Sequence, residues 1–485
     1  MKIEDIHGLV KSNVQNCKAD LIPTSEQNIT TRDSLYFHFR KTNGEETEPK
    51  FEQKPYAIVC EEDSILNNGI NPTVIVEDAR AAFAYAMSEV CEIDYDRLKI
   101  IGITGTNGKT TTATLIERIF LDSDMKVGFI GTGQIRINGE MVSDKFYSMT
   151  TPDPSTLYPT LARMQNEGCE VVVMEVSSHS IKLKKTEPIK FKYCLFTNFS
   201  KEHLDFHLTE EEYLKTKQAL FKQCECGVFN IDDACVRKTS DEAKCKAITV
   251  GVLNKADIYA LNIELNKLNG SRYYLRAKNY ICGVETKLPG PFNVYNTLMA
   301  LATVIDFGIK PCVAKRSLSK VTAVKGRLEL IRRDIDVVID YAHTAEAFEN
   351  TLKYLYSCVI SRQYLILVFG CGGNRDKSKR KEFAKAAEKY SKMIILTEDN
   401  SRNEPTEEII KEVLSGASSL QKWQTIPCRR AAIFKAIKSA APGSVVAILG
   451  KGDEPYAINE NGFYEYSDRQ TVYDALAERG KAIED

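Results

Sequence analysis

The stretch GITGTNGKTTT, residues 102–112, combines glycine, lysine and threonine at a spacing that suits a bound phosphate group. Gly105 and Gly108 let the backbone come close to an anion. Lys109 supplies a positive charge to the phosphates of a nucleotide, and Thr110 presents a hydroxyl group to Mg²⁺. An isoleucine stands where the usual G-x-x-x-x-G-K-[ST] pattern has its first glycine. The segment indicates a nucleotide site, and a glycine- and threonine-rich turn is the alternative interpretation.

Two further segments carry polar side chains that suit the same chemistry. Glu175 lies inside the apolar run VVVMEV. Because a buried carboxylate without a partner is costly, we expect a cation such as Mg²⁺ beside it, and the alternative is a strand-end acid that faces water. The segment FTNFSKEHLDFH follows another apolar run, at the kind of strand end where α/β sheets collect their sites. It offers Asn198, His203, Asp205 and His207, although a single histidine is more often structural than a ligand.

Lys217 is the third unusual side chain. The segment EEEYLKTKQALF, residues 210–221, has the apolar spacing of a helix, and Lys217 falls among the inward positions with Tyr213 and Phe221. A lysine at such a position usually extends its ammonium group to solvent. The alternative is that the side chain is chemically altered.

The elements around these residues alternate between strand and helix. An apolar strand at 98–103 enters the glycine loop, and an amphipathic helix leaves it. Similar apolar runs occupy 170–178, 193–200 and 227–232. Continuous apolar strands that alternate with helices predict a mainly parallel sheet covered on both faces. The helix residues predicted to face inward are Ala113, Leu115, Ile116, Ile119 and Phe120.

An α/β segment precedes this region and another follows it. Before it, 56–63 and 72–78 predict short strands, and 79–90 predicts a helix with Asp78 as its N-cap. After VKGRLELI, residues 324–331, four strand-like runs alternate with helices, which indicates a doubly wound sheet. The four runs are 336–343, 363–370, 392–399 and 444–452.

These patterns predict an α/β protein with three domains. Residues 1–97 form a small N-terminal α/β domain, and residues 98–325 form a central domain with a parallel sheet of the P-loop NTPase type. Residues 326–485 form a Rossmann-like, doubly wound C-terminal domain.

The composition of the 485 residues argues against several classes of protein. A formal net charge of −1 gives no reason to expect nucleic acid or an anionic membrane surface as a partner. The 14 cysteines form no CxxC pair, and the chain has six histidines, so reduced cytosolic thiols are expected rather than a zinc ribbon. The N-terminus has no signal-peptide pattern, and no run of about 18 apolar residues predicts a membrane span. We expect a soluble, monomeric, cytoplasmic enzyme that acts on small molecules.

An ordered set of motifs resembles the Mur ligase family. The motifs are GTNGKTT, MEVSSH, FTN.S.EHLD.H, Y..TK..LF, LPGPFNVYN, KGRLE, DYAHT, FGCGGNRDK and GKGDE, and they cover roughly residues 70–470. Each motif alone is weakly specific, but the set in this order is highly specific. It is most similar to the MurE type, the UDP-N-acetylmuramoyl-tripeptide synthetases.

The resemblance implies an ATP-dependent amide ligase with three domains. The N-terminal domain holds the UDP part of the substrate, the central domain holds ATP, and the C-terminal domain holds the incoming amino acid. ATP phosphorylates the terminal carboxylate of UDP-N-acetylmuramoyl-L-alanyl-D-glutamate, which gives the acyl group a good leaving group. The amine of the amino acid then attacks the acyl phosphate, and phosphate is released.

The resemblance also assigns roles around the phosphates. The catalytic residues are Lys109, His203 and Lys217. Thr110 and Glu175 hold one Mg²⁺ ion, and His203 holds a second beside a carbamylated lysine at position 217. Cations are needed because a carboxylate and a γ-phosphate, both anions, must meet. The cofactors are therefore ATP and two Mg²⁺ ions. The implied ATP contacts are Gly105, Thr106, Asn107, Gly108, Lys109, Thr110, Thr111, Asn296, Arg327, Asp340 and His343.

Four residues are implied on the UDP-sugar side: Thr150, Thr151, Ser177 and Lys185. The family often has arginine where this chain has Lys185, and a lysine keeps the charge but loses the bidentate fork. The motif YAHTP is changed to YAHTA at Ala345. The N-terminal segment NITTRDSLYFHF matches the family poorly, so no UDP contacts are assigned there.

The choice of amino acid depends on two C-terminal segments, EDNSRNEP and GKGDE. In the family, an arginine in the first grips the distal carboxylate of meso-2,6-diaminopimelate, and a glutamate in the second reads the distal ammonium. Arg402 and Glu454 supply both charges, whereas L-lysine would leave Arg402 unpaired. Diaminopimelate is therefore favoured over L-lysine or another amino acid. The alternative is that Arg402 only caps a loop beside Glu404. The implied contacts are Asp399, Asn400, Arg402, Glu404, Gly450 and Glu454.

Two functions compete with this interpretation. A folylpolyglutamate synthetase shares similar central motifs, but the TTPD segment, the small N-terminal module and DNSR.E argue against it. A paralogue that binds nucleotide or muropeptide without turnover is the non-enzymatic alternative. The changes at Lys185 and Ala345 favour it. Four retained residues oppose it: Lys109, Glu175, His203 and Lys217.

Overall fold

A computed structural model of the chain describes residues 1–14, 20–142, 149–203, 206–359 and 364–484. Asp205, one of the polar candidates, lies outside these ranges. The described residues form a five-stranded, an eleven-stranded and a six-stranded sheet, together with a two-stranded hairpin. No helix within these ranges is long and apolar enough to cross a membrane.

The N-terminal sheet has the order β1-β5-β4-β3-β2, in which only β1 runs antiparallel to its neighbour. Its elements are β1 Leu9–Ser12, β2 Ile22–Thr24, β3 Ser34–Phe37, β4 Ala57–Cys60, β5 Thr73–Val76 and the helix α1 Ala79–Val90. The side chain of Asp78 accepts hydrogen bonds from the N–H groups of Arg80 and Ala81 and so caps α1. The predicted strands at 56–63 and 72–78 and the predicted helix are confirmed.

The central sheet contains eleven strands in the order β16-β15-β14-β13-β12-β11-β6-β10-β7-β8-β9. The seven strands from β14 to β7 in this order are parallel, and β15, β16, β8 and β9 add antiparallel edges. The strands are β6 Lys99–Thr104, β7 Val127–Gly131, β8 Gln134–Ile137, β9 Glu140–Met141, β10 Val171–Glu175, β11 Phe191–Phe196, β12 Cys224–Asn230, β13 Lys246–Gly251, β14 Ile258–Leu265, β15 Ser271–Ala277 and β16 Tyr280–Thr286.

Helices cover both faces of the central sheet. They are α2 Lys109–Leu121, α3 Pro154–Asn166, α4 Ser178–Lys182, α5 Glu210–Ala219, α6 Ala234–Glu242, α7 Pro291–Phe307 and α8 Pro311–Lys320. The five α2 residues predicted to face inward are fully buried, in a core shared with α7 and α8. On the other face, α3 packs in a core that continues through α1 into the N-terminal sheet. The predicted parallel sheet with two covered faces is therefore confirmed.

The C-terminal sheet has the order β17-β18-β22-β19-β20-β21, with only β17 antiparallel. Its strands are β17 Glu329–Arg332, β18 Asp336–Asp340, β19 Leu365–Phe369, β20 Met393–Leu396, β21 Trp423–Thr425 and β22 Val445–Leu449, and the hairpin is β23 Tyr456–Asn459 with β24 Gly462–Glu465. The helices are α9 Ala345–Cys358, α10 Lys379–Tyr390, α11 Thr406–Leu414, α12 Arg429–Ser439 and α13 Asp468–Glu484. Separate cores on the two faces confirm the doubly wound prediction.

The sheet orders bring the polar segments together. Strands β6, β10 and β11 are neighbours, so the loops that follow Thr104, Glu175 and Phe196 leave the same edge of the central sheet. In the C-terminal sheet, β22 lies between β18 and β19, which creates a crevice at their carboxyl ends. We keep 1–97, 98–325 and 326–485 as proposed domain bounds, because the three sheets begin after residues 8, 98 and 328.

Candidate functional site

A cavity of about 1000 Å³ lies between the carboxyl edges of the central and C-terminal sheets. Almost all of the predicted site residues that the structure describes line it, and Gly105, Glu404 and His207 are those that do not. His207 is buried instead, with its Nε2 3.0 Å from the hydroxyl oxygen of Ser178. The lining includes Thr106, Asn107, Gly108, Lys109, Thr110, Thr111, Thr150, Thr151, Glu175, Ser177, Lys185, His203, Lys217, Asn296, Arg327, Asp340, His343, Asp399, Asn400, Arg402, Gly450 and Glu454.

The glycine loop is shaped by its neighbours as well as by its own residues. Gly105 and Gly108 have φ angles of +137° and +85°, and a Cβ atom at either would collide with Thr197 or Asn296. Asn198 holds the loop through its side chain, because its Oδ1 accepts from the N–H of residue 107 at 2.9 Å. Helix α2 begins directly after the loop, so its free N–H groups and positive dipole end face the cavity.

Lys109 folds back over this loop. Its Nζ donates to the carbonyl oxygens of Gly105 and Thr106, both at 2.9 Å. Burial lowers the pKa of Lys109, and the carboxylates of Glu175 and Glu202 act against that shift. The ammonium group therefore lies against the glycine loop, to which Lys217 Nζ also donates at Gly105 O.

Glu175 ends strand β10 and is almost fully buried. Its Oε2 accepts a hydrogen bond from Thr110 Oγ1 at 3.0 Å, and its Oε1 accepts from the N–H of Thr132 at 3.2 Å. Arg327, from the segment before β17, donates from Nη2 to Thr110 Oγ1 at 3.0 Å. Side-chain oxygens of Thr110 and Glu175 and the cation of Arg327 thus converge beside the glycine loop.

Glu202 is a site residue that sequence reasoning missed. Its nearly buried carboxylate lies 3.1 Å from His343 Nε2 and 3.5 Å from His203 Nε2, and so connects the central and C-terminal sheets. Burial alone would raise the pKa of Glu202, but the hydrogen bond from His343 and the charge of His203 hold it well below its usual range. Burial lowers the pKa of His203 to about 3. An acid directly before a predicted site histidine was the available signal.

Lys217 points into the protein rather than to solvent. Its side chain is 1% exposed, and its Nζ donates to Gly105 O at 3.0 Å. Nζ also lies 4.7 Å from the ring centre of Tyr213. Burial, together with the charge of Lys109, lowers the pKa of Lys217 well below its ordinary value. The interpretation that this lysine extends to solvent is therefore wrong, and its carbamylation stays a prediction.

The residues assigned to the UDP-sugar side form a hydrogen-bonded group next to Glu175. Thr151 Oγ1 donates to the carbonyl of Glu175 at 2.9 Å and accepts from the N–H of Ser177 at 3.1 Å. Thr150 Oγ1 lies 3.1 Å from the hydroxyl of Thr132. Lys185 is buried and forms an ion pair of 2.6 Å with Asp153, so its charge is held near this wall of the cavity. Their role in substrate binding stays a prediction.

The remaining predicted nucleotide contacts have partners of their own. Asn296 donates from Nδ2 to Asn293 at 2.8 Å and sits against Gly108. The two oxygens of Asp340 accept from the N–H groups of Leu328, at 2.7 Å, and Ala342, at 2.9 Å. Burial raises the pKa of Asp340. Through the first of these bonds, Asp340 fixes the backbone at residue 328, directly next to Arg327.

Arg402 and Glu404 point to different surroundings. Arg402 has a φ of +53°, and its Nη1 donates to the carbonyls of Gly373, at 2.9 Å, and Asn400, at 3.1 Å. Glu404 accepts from Arg380 Nη1 and Nη2 at 2.7 and 2.9 Å. Arg402 therefore lines the cavity while Glu404 anchors the loop behind it, and Glu404 as a contact of the amino acid stays a prediction.

Glu454 and Asn400 meet at the far end of the cavity. Asn400 Nδ2 donates to Glu454 Oε2 at 2.9 Å. Gly450, with a φ of +114°, leaves space for Asp399, which a side chain there would strike. Sequence reasoning missed two cations in this region, Lys451 and Arg375. Lys451 lies in the motif GKGDE and Arg375 lies in the motif FGCGGNRDK, but nothing in their spacing distinguished them from solvated lysines and arginines.

The family comparisons agree with this architecture. A family model described as the Mur ligase middle domain matches residues 103–304. A second, described as the Mur ligase, glutamate ligase domain, matches residues 326–452. Together they cover both sheets that border the cavity.

Full-length relatives are similar in sequence over most of the chain. The UDP-N-acetylmuramoyl-L-alanyl-D-glutamate--2,6-diaminopimelate ligase of Aquifex aeolicus is 40% identical over 432 residues, which are 88% of this chain and 87% of that protein. The ligase of the same name from Geobacillus kaustophilus is 37% identical over 423 residues, with 84% and 85% covered.

Solved structures share the fold. A structure of UDP-N-acetylmuramoyl-L-alanyl-D-glutamate--2,6-diaminopimelate ligase matches with a TM-score of 0.62 and 26% identity over 99% of both chains. The folylpolyglutamate synthase of Mycobacterium tuberculosis matches with a TM-score of 0.63, but with 17% identity over 76% of this chain and 91% of its own, and so shares the fold alone. The chain belongs to the Mur ligase family, and its MurE-type relatives cover most of its length.

Proposed function

We propose that this chain joins meso-2,6-diaminopimelate to UDP-N-acetylmuramoyl-L-alanyl-D-glutamate in an ATP-dependent reaction of peptidoglycan biosynthesis. One observation carries the proposal: a single cavity joins the glycine loop at Lys109 to the charged cluster at Arg402 and Glu454. The names of the sequence relatives support the same substrates.

The reaction has two covalent steps. A carboxylate oxygen of the D-glutamyl residue attacks the γ-phosphorus of ATP, the bond to the bridging oxygen breaks, and ADP leaves. The neutral amine of the amino acid then attacks the acyl phosphate carbon. The tetrahedral intermediate loses inorganic phosphate, and the nitrogen loses a proton, which completes the amide. Lys109 and the N–H groups at the start of α2 offset the charge of the transferred phosphoryl group.

Two Mg²⁺ ions belong to the proposal, and the residues fit them to different degrees. Thr110 and Glu175 provide oxygen ligands 3.0 Å apart, the ligand type that Mg²⁺ prefers. When bound, the ion would screen the phosphate oxygens. His203 could bind a second ion beside Lys217 only if that lysine were carbamylated, because an unmodified amine here donates its hydrogen to Gly105 O. Among the described residues, no group of three His, Cys, Asp or Glu side chains has the geometry of a metal site.

The charges of the far end favour diaminopimelate over L-lysine. Arg402 and Arg375 line the cavity there, and each contributes a cation that can meet a distal carboxylate. Glu454 contributes the anion for the distal ammonium. L-lysine offers only the ammonium, so its binding would give up the charge-assisted contact between a distal carboxylate and Arg402.

An amino-acid panel tests the function. The purified protein receives ATP, Mg²⁺ and UDP-N-acetylmuramoyl-L-alanyl-D-glutamate, and phosphate release is measured with each amino acid. We expect at least about tenfold higher kcat/KM for diaminopimelate than for L-lysine, because one charge-assisted contact contributes about 1.5–3 kcal/mol. A preference for lysine overturns the pocket assignment. Turnover only with a folate substrate indicates a folylpolyglutamate synthetase, and nucleotide binding without turnover indicates a non-catalytic paralogue.

Carbamylation has its own test. With ¹³C-bicarbonate, a carbamate carbon signal is expected in the wild-type protein and not in the Lys217→Ala variant. That variant should lose activity, and bicarbonate-independent turnover at the wild-type rate would remove Lys217 from the metal site.

The cytoplasmic location and the monomeric state remain part of the proposal, and size-exclusion chromatography with light scattering measures the latter.

A further inference from the structure

Lys451 is a buried, charged side chain that has none of the roles assigned above. It follows strand β22, and its side chain is 1% exposed, a costly position for an ammonium group without partners. Its Nζ lies 3.0 Å from Asn400 Oδ1, 3.0 Å from Glu454 Oε2 and 3.8 Å from Asp399 Oδ1. Its polar partners are thus three of the residues predicted to bind the amino acid.

The charges of this cluster come from four side chains. Asp399 and Glu454 contribute two carboxylates, and Lys451 contributes one ammonium. The neighbouring cation, Arg429, forms two hydrogen bonds of 2.7 Å with Asp468, so its charge is already matched. Arg402, whose Nη1 donates to Asn400 O at 3.1 Å, supplies the second cation of the cluster, so a bound zwitterionic group would leave its charges balanced.

The two oxygens of Glu454 differ in what they can still accept. Oε2 accepts from Lys451 Nζ at 3.0 Å and from Asn400 Nδ2 at 2.9 Å. Oε1 accepts only a long hydrogen bond, 3.4 Å, from the hydroxyl group of Tyr341 within the described part of the chain. Lys451 and Asn400 thus fix the carboxylate through one oxygen and leave the other for a ligand.

Asn400 connects the anionic and cationic halves of this end of the cavity. Its side chain bonds both Lys451 and Glu454, and its carbonyl oxygen accepts from Arg402 Nη1 at 3.1 Å. The hairpin strand β23 supports it, because the N–H of Ile458 donates to Asn400 Oδ1 at 3.0 Å. A change at Lys451 is therefore expected to affect the positions of both Glu454 and Arg402, the two charged side chains that would bind a zwitterionic group.

We propose that Lys451 is a positioning residue for amino-acid selection. It holds Glu454 and Asn400 so that Glu454 Oε1 receives the distal ammonium group while Arg402 receives the distal carboxylate. This inference rests on the proposed function and adds a residue that acts through Glu454 rather than on the substrate itself.

A double-mutant cycle tests the role. Lys451→Met keeps the length of the side chain and removes its charge. We expect KM for diaminopimelate to rise about tenfold or more, kcat to stay within about threefold, and KM for ATP to stay unchanged. In the Glu454→Gln background, the same change should raise KM about threefold or less, because the carboxylate that Lys451 orients is gone and only its contact with Asn400 remains.

The control is Arg479→Met. Arg479 forms a two-bond ion pair with Asp334 at the opposite end of the same sheet, at 2.9 and 2.7 Å, and its side chain is 11% exposed. This variant should lose stability but leave KM for diaminopimelate unchanged. If Lys451→Met fails to fold, Lys451→Gln, which keeps a donor but no charge, carries the same cycle.

The outcomes separate the two proposals. Equal effects of the Lys451 variant in both backgrounds, or a fall in kcat with KM unchanged, would overturn the positioning role while the ligase function stands. Absence of ligation by the wild-type protein with every amino acid would overturn the proposed function, and the role of Lys451 with it.

Discussion

The two ends of the cavity recognise their ligands by different means. The phosphate end uses one continuous segment, 104–111, whose backbone N–H groups and single lysine are fixed by the turn into α2. The amino-acid end is assembled from three separated segments, 372–375, 399–404 and 450–454, together with strand β23. Its recognition groups are side chains that hold one another through Asn400 and Lys451.

The difference determines how each end responds to change. A backbone-based site depends on a few glycines and on neighbours such as Asn198 that hold the loop, but its binding groups are N–H groups that a side-chain substitution does not remove. A site of mutually bonded charges loses geometry when any partner is removed, because the charge left behind is buried without compensation. The phosphate end should therefore control turnover for every amino acid, and the amino-acid end should control which amino acid is accepted.

The largest expected effect is at Lys109. Lys109→Met should reduce kcat by about 10³-fold, since one preorganised charge on the transferred phosphoryl group contributes about 3–4 kcal/mol. The loss should be the same with diaminopimelate and with L-lysine, because Lys109 bonds only the loop carbonyls of Gly105 and Thr106. Phosphate release at saturating substrates measures it.

The same variant also tests whether the two ends are separable. Melting temperature should stay within a few degrees of the wild type, because a partly buried ammonium is replaced by an apolar side chain of similar length. A loss of activity that depends strongly on the amino acid would contradict the division between the ends.

At the amino-acid end, Arg402 should decide selectivity. Arg402→Met should lower kcat/KM for diaminopimelate by about 10–100-fold, which corresponds to about 1.4–2.8 kcal/mol for a charge-assisted contact. The effect on L-lysine should be less than about threefold, and KM for ATP should not change. The ratio of kcat/KM for the two amino acids, measured in competition, is the readout, and a ratio that stays constant would assign Arg402 to loop capping.

The sequence predicted the phosphate end better than the amino-acid end for a physical reason. The glycine loop and the inward face of helix α5, which carries Lys217, are local patterns. Each of them can be recognised within a single segment of the sequence. The bonds from Lys451 to Asn400 and Glu454 depend on three chain segments meeting, which no spacing records. Glu202 was missed for the same reason, because its partner His343 lies 141 residues away in the chain (343 less 202).

The fold was predicted in the same uneven way. Parallel strands at 98–103, 170–178, 193–200 and 227–232 are continuous apolar runs, and the structure confirms each of them. The antiparallel edge strands β15 and β16 were missed, although buried and exposed residues alternate through β15. Such a strand has polar residues on one face and lacks the apolar run that marks a strand buried on both faces.

Glu404 should link stability at the amino-acid end to pH. Hydrogen bonds from Arg380 lower the pKa of Glu404 below its usual range, and partial burial opposes this shift. The folded-state pKa is the lower one, so the stabilisation is complete above the unfolded value near 4.5 and is lost as pH falls through the folded value. Glu404→Gln should therefore reduce the free energy of unfolding by about 1–2 kcal/mol at pH 7.

Two measurements examine this variant. Urea unfolding from pH 7 down to pH 3 should show the difference from wild type shrinking below about pH 4.5. KM for diaminopimelate should rise about threefold, because the loop that carries Arg402 loses its anchor to Arg380, while KM for ATP should not move. An unchanged difference at pH 3 would mean that the ion pair does not stabilise the fold.

The smallest expected effect is at Glu388, a carboxylate that, like Glu404, accepts several hydrogen bonds but lies away from the cavity. It accepts from Ser418 N–H at 2.9 Å and from the indole of Trp423, the only tryptophan of the chain, at 3.0 Å. These bonds outweigh partial burial and lower its pKa to about 2, so its stabilisation is complete above about pH 4.5 and fades toward pH 2. Glu388→Gln should lower the free energy of unfolding by about 1 kcal/mol at pH 7 and should leave KM for diaminopimelate and KM for ATP unchanged. Trp423 fluorescence during urea unfolding measures that free energy. If it raised KM for diaminopimelate as much as Glu404→Gln does, selectivity would depend on the stability of the whole C-terminal sheet rather than on the side chains that meet at the cavity.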